Sequence, residues 1–129
     1  MIEFKVISNQ KVIKRLPKEY PKLIEYEAEF SIIINGKVFF NDPKFPLLEF
    51  LHYVNKWKSQ RTESLEYISI ETEDNPLISF KSEQDMLLIC SPWQLFKCET
   101  KFTKEEIVSA LDILEKTVYQ QIKHKTEKS

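Results

Sequence analysis

Three kinds of side chain in this sequence could do chemistry: a crowd of carboxylates, a pair of cysteines and a pair of histidines. The carboxylates include Glu66, Glu71, Glu73, Asp74, Glu83 and Asp85, within residues 62–100, where eight acidic residues face two basic ones. Paired carboxylates perform general acid–base work when a pocket drives their pKa values apart. On an open surface they either stay solvated in turns or attract a basic partner. A thiol at Cys90 could be a nucleophile if a neighbour stabilised its thiolate. Cys90 ends the apolar run MLLIC, however, and that setting predicts a buried, inert thiol. His52 and His124 fall on different predicted helices, neither with a carboxylate at metal-ligand spacing, and HExxH and CxxC motifs are absent. The single glycine, Gly36, excludes glycine-rich phosphate loops. The residues therefore predict no catalytic group, no metal and no cofactor, and leave binding as the expected role.

The elements that must carry these residues are readable from periodicity. Ile2–Ser8 alternates as a first strand, and the basic residues 9–22, with Pro17 and Pro21, read as a loop. In IEYEAEFSIII, Ile24, Tyr26, Ala28, Phe30, Ile32 and Ile34 share one face. Asn35-Gly36 then predicts a type I′ hairpin turn into a partner strand, Lys37–Phe40. Pro46 opens an amphipathic helix with its stripe at Leu47, Phe50, Leu51, Val54 and Trp57. Leu65–Glu71, Leu77–Lys81 and Met86–Ser91 form a strand meander joined by the polar turns TEDNP and SEQD, with an optional further strand over about Gln94–Glu99. Thr103 and Glu106 make a capping-box pattern before the last helix, whose stripe is Ile107, Ala110, Leu111, Leu114, Val118 and Ile122.

The order βββ-α-βββ(β)-α predicts an α+β fold. It is expected to be a single antiparallel or mixed sheet of six to seven strands with two helices packed on one face. Residues 1–129 form one domain, with 123–129 a fraying tail. Successive turns of a meander lie at opposite ends, so the acids should divide into two patches roughly 20 Å apart. Glu71, Glu73 and Asp74 gather at one end beside Trp93, and Glu63, Glu66, Glu83 and Asp85 at the other. Trp93 is either a lid on the core or an interface anchor.

The formal charge of −1 hides an asymmetry of +4 over residues 1–61, −6 over 62–100 and +1 over 101–129. The basic segment 11–22 is too small for a nucleic-acid footprint. No apolar run approaches the ~18–20 residues of a membrane span, and the N-terminus lacks signal-peptide character. With two cysteines there is no disulfide framework, so a cytoplasmic location with free thiols is expected.

The succession IIINGKVFF, a Pro-led helix ending in Trp57, LEYISIE, PLISF, MLLICSPWQ and a capped IVSALDILEKTV is similar to the small α/β immunity proteins of bacterial polymorphic-toxin systems, including those paired with wall-associated and LXG-type toxins. The likeness runs over most of residues 23–122. It implies a cytoplasmic, non-enzymatic protein that binds and blocks one cognate toxin domain. Many such toxins are nucleases, and an acidic patch would stand in for nucleic-acid phosphate in their clefts. The resemblance transfers no contact residue. Two other readings stand beside it. One is a homo-oligomeric structural or adaptor module pairing through a sheet edge near MLLIC. The other is a small enzyme using Cys90 or a carboxylate pair.

Overall fold

The computed structural model describes residues 1–6, 12–15, 24–60, 64–69 and 72–127, without the side chains of 12–15, 24–26 and 122–127. The described residues form an α+β fold of two antiparallel sheets and two helices.

The first sheet is organised on β3 (Ile24–Ile34), whose residues Ala28, Phe30, Ile32 and Ile34 are buried. Along one edge it pairs antiparallel with β1 (Ile2–Val6) and then with β2 (Val12–Arg15), and along the other with β4 (Lys37–Pro46). The predicted loop over residues 9–22 is thus corrected at 12–15, where Val12 faces Glu27 and Arg15 faces Ile24 in register. The hairpin turn forms as the sequence predicts: φ is +51° at Asn35 and +81° at Gly36. Both central positions need left-handed backbone, which asparagine and glycine tolerate best. The returning strand runs well past Phe40, to Pro46. Register shifts between Ala28 and Phe30 and between Ile32 and Ile33 let it continue while the ribbon bends.

Helix α1 (Leu47–Ser59) starts directly from β4, with Pro46 in extended conformation at its N-cap. Leu47, Phe50, Leu51, Val54 and Trp57 are its buried stripe, as the spacing predicts. The second sheet has the order β5 (Leu65–Tyr67), β6 (Ile78–Glu83), β7 (Met86–Cys90) and β8 (Lys101–Phe102). The expected strand over Gln94–Glu99 is not one; the pairing with β7 is made by Lys101 and Phe102. Helix α2 (Lys104–Glu127) begins with the predicted capping box: the Glu106 amide donates to Thr103 Oγ1 at 3.1 Å and the Thr103 amide donates to Glu106 Oε1 at 3.2 Å. It stays helical past Lys123, to Glu127.

The single sheet expected from the element order is therefore two. Pro43 and Pro46 in β4 have no N–H to give, so its outer edge cannot carry a continuous ladder to β5. The meander instead lays its apolar face onto the core shared with the first sheet and α1. Phe30, wholly buried, stacks on Phe45 at 4.4 Å between ring centroids and lies 6.3 Å from Phe4 and 5.9 Å from Phe50. Phe80 of β6 reaches Phe4 at 6.2 Å and Trp57 at 5.4 Å, so rings from both sheets and α1 close on one another. Tyr67 packs 5.3 Å from Phe50 and donates its hydroxyl to Glu49 at 2.8 Å, which satisfies the buried phenol. Lys58 of α1 bonds Asp112 and Glu115 of α2 and ties the helices together.

Candidate functional site

The connection from β5 to β6 is a stitched loop rather than a tight hairpin. Tyr67 faces Ile78 across the ladder, and the Leu77 amide donates back to the Tyr67 carbonyl at 2.9 Å. Asn75 organises the loop from within. Its Oδ1 accepts from the Ser69 amide at 2.9 Å, and its Nδ2 donates to the carbonyls of Ser69 and Thr72 at 3.0 and 2.7 Å. The Asp74 amide donates to Thr72 Oγ1 at 3.1 Å. Such side-chain bonds replace the ladder bonds a loop gives up. They hold Glu73 and Asp74 out in solvent.

The chain leaving β7 turns at Ser91–Leu95. Ser91 Oγ accepts from the Trp93 amide at 3.0 Å, Gln94 Oε1 accepts from the Ser91 amide at 3.2 Å, and the Leu95 amide donates to the Phe39 carbonyl of β4 at 2.8 Å. This turn delivers Trp93 to the loop end. Its indole N–H donates to Asp74 Oδ2 at 2.8 Å, and its ring lies nearly parallel to that of Phe40, with 6.1 Å between centroids and 9° between planes. Trp93 is 36% exposed. It is at once a cover for the core and an exposed, oriented ring.

The structure thus joins Asp74 and Trp93, places Glu73 beside them on an exposed loop, and leaves Glu71 outside the described residues. The second predicted patch is looser and less acidic, and its Glu63 lies outside the described residues. Gln84 and Asp85, at φ +48° and +65°, form a two-residue turn between the paired Glu83 and Met86. Glu83 is bonded by Lys101 of β8 at 3.2 Å. Glu66 sits opposite Ser79, four positions along β6 from Glu83, so it does not gather with Asp85. Leu95, 66% exposed and two residues beyond Trp93, is the apolar surface residue that sequence reasoning assigned to a strand; the neighbouring Phe96 packs edge-on against Phe39 at 5.5 Å.

The other candidates for chemistry are dispersed. Cys90 is half-buried on the outer face of β7, across from Ser79, rather than fully shielded as its apolar setting predicts. Cys98 is buried and free, and burial pushes its thiol pKa up. His52 is exposed on α1, and the His124 side chain lies outside those described. Among the described residues no three His, Cys, Asp or Glu side chains converge as a metal site, and no helix is long and apolar enough to cross a membrane.

Fold and surface together define a small α+β protein of two sheets whose candidate site is an exposed tryptophan–carboxylate end rather than a pocket. The chain belongs to the family described as a domain of unknown function, DUF7878, whose profile matches residues 2–124. Comparison with curated proteins returns no match, and comparison with solved structures returns none.

Proposed function

We propose that this protein is a non-enzymatic, immunity-type binding protein. It neutralises a cognate bacterial toxin domain in the cytoplasm by covering that domain's active site with the loop end built from Glu73, Asp74 and Trp93, together with Glu71. One observation carries the reading: the Trp93 ring is oriented before any partner arrives, clamped by Asp74 at 2.8 Å and backed by Phe40. Binding energy concentrates in a few aromatic anchors, and a ring already held in place loses little rotamer freedom on docking. Leu95 adds apolar area to the same turn, while the acidic side chains steer a basic surface such as a nuclease cleft. A complex of ordinary size would bury roughly 800 Å² of this protein. Glu83 and Asp85 form a secondary contact zone, partly neutralised by Lys101, with Glu66 standing apart from them on β5.

The first test is the neighbouring gene: a reading frame ending in a small toxin-like domain supports the function and a solitary gene counts against it. Co-expression with such a domain is then scored by growth rescue and a binding titration. Trp93→Ala should weaken the complex by about 30-fold or more, the loss expected of a hot-spot residue. Glu73→Lys should slow association and steepen with falling salt. A complex that forms with unchanged affinity in both variants would refute the site, and absence of any rescue would refute the function.

A further inference from the structure

A groove of about 780 Å³ runs between β1 and α2, at residues that the candidate site does not use. Its walls are the whole of Met1–Val6 and one flank of α2 from Glu106 to Thr117. Five strand residues and twelve helical residues both measure about 17 Å, so the two walls match in length. Ile113, 67% exposed, lines the helical wall. Among the described residues no strand pairs with the outer edge of β1; β3 occupies its inner edge alone.

The backbone polarity of that edge follows from the register. The Asn35 amide donates to the Met1 carbonyl at 2.8 Å, and Glu3 faces Ile33 while Lys5 faces Ser31. In an antiparallel ladder bonded and non-bonded pairs alternate, so the odd-numbered residues bond to β3. The amides and carbonyls of Ile2, Phe4 and Val6 therefore point outward, unclaimed by β3. Their neighbours Glu3 and Lys5 carry the exposed side chains of the strand.

We infer that the occupant of this groove is β1 of a second copy of this chain, paired antiparallel about a two-fold axis through Phe4. With Phe4 opposite its own symmetry mate, Ile2 meets Val6, and the outward amides and carbonyls of the two strands bond each other. That register sets Glu3 of each copy opposite Lys5 of the other, at a non-bonded pair, where facing side chains approach most closely. An edge lysine ordinarily discourages strand pairing; here the partner copy supplies the carboxylate that cancels it, twice by symmetry. The first sheet becomes continuous across the dimer, and the two α2 helices, on the same face, bring their Ile113 side chains towards the axis. The surface shares no residue with the Trp93 site, so the pairing stands or falls separately from the proposed function.

Sedimentation equilibrium between about 1 and 100 µM tests it on the full chain. A mass of twice the chain is expected at the upper end. Glu3→Lys or Lys5→Glu alone sets like charges opposite each other at both symmetric pairs and should raise the dissociation constant about tenfold or more; the double exchange E3K/K5E restores the charge match and the affinity. Both side chains are exposed, so melting temperatures measured at about 1 µM, where the monomer predominates, should stay level, which separates the effect from misfolding. Hydrogen exchange should slow at the Phe4 and Val6 amides as concentration rises. A monomer at 100 µM overturns the inference, whatever other chain the groove can accept. So does a dimer insensitive to the single reversals, or one that leaves those two amides unprotected.

Discussion

Replacing Trp93 by alanine removes a side chain that is 36% exposed, so roughly two-thirds of its surface lies against the protein. For a tryptophan that is about 160 Å², or ~4 kcal/mol of burial, reduced to ~3 kcal/mol because unfolded chains already bury part of it. Trp93→Phe keeps a ring against Phe40 and deletes the indole donor to Asp74 together with part of the buried ring area. A hydrogen bond to a carboxylate at a solvent-accessible rim contributes ~1 kcal/mol, since water re-satisfies the acid when the donor leaves. Asp74→Ala should cost about the same for the same reason. Both variants lose the same bond, so the double variant W93F/D74A should cost ~1 kcal/mol less than the sum of the two single variants, a coupling of ~1 kcal/mol. Urea unfolding of the four proteins measures this, with the buried Trp57 retained as the fluorophore in every variant. A coupling below ~0.3 kcal/mol, the usual scatter of additive sites, would refute the view that Asp74 fixes the indole, and with it the preorganised anchor.

Three further outcomes are expected. Burial raises the pKa of Asp42, against a lowering by the Lys44 amide and with a smaller raising by Glu27; the folded state holds the Asp42 proton more tightly, so stability should fall as pH rises from the ordinary aspartate range through the raised value. Asp42→Asn should remove that fall and stabilise the protein at neutral pH, as read by urea unfolding at stepped pH. Mass-resolved alkylation of the native protein should label the half-buried Cys90 well before Cys98, whose thiol is buried and has its pKa pushed up by that burial; equal rates would contradict the packing around Cys98. Thr103→Ala should cost ~1 kcal/mol in thermal or urea unfolding and Thr103→Ser almost nothing, because the hydroxyl that accepts from the Glu106 amide is what the first removes.

How much of this was legible in the sequence depends on whether the cause was local. The alternation of Ala28, Phe30, Ile32 and Ile34, the Asn35-Gly36 turn, the Leu47–Trp57 stripe and the Thr103–Glu106 cap each rest on neighbours within one element, and each is found where the pattern puts it. Trp93 beside Asp74 followed from the ends of a meander, a constraint of topology that needs no distant contact. The division into two sheets was not legible. It turns on Phe80 meeting Phe4 and Trp57 across the core, and periodicity says which face is apolar but not what that face touches. The strand at 12–15 was hidden because β2 lies on an edge, where basic side chains suit a strand as well as a loop. The partial neutralisation of the second acidic patch was hidden because Lys101 reaches Glu83 from β8, a strand of two residues, too short to show a period.

The three bonds that Asn75 makes to Ser69 and Thr72 have a consequence for how such a surface can change over generations. The contour of the loop is written by one amide turned onto its backbone, and among the described residues Glu73 contributes to that scaffold only through its carbonyl, which accepts from the Asn75 amide at 2.9 Å. Its side chain can therefore be exchanged for another size or sign without redrawing the backbone. A lineage can retune whom the loop greets by spelling that position anew, while the frame that presents it stays the same.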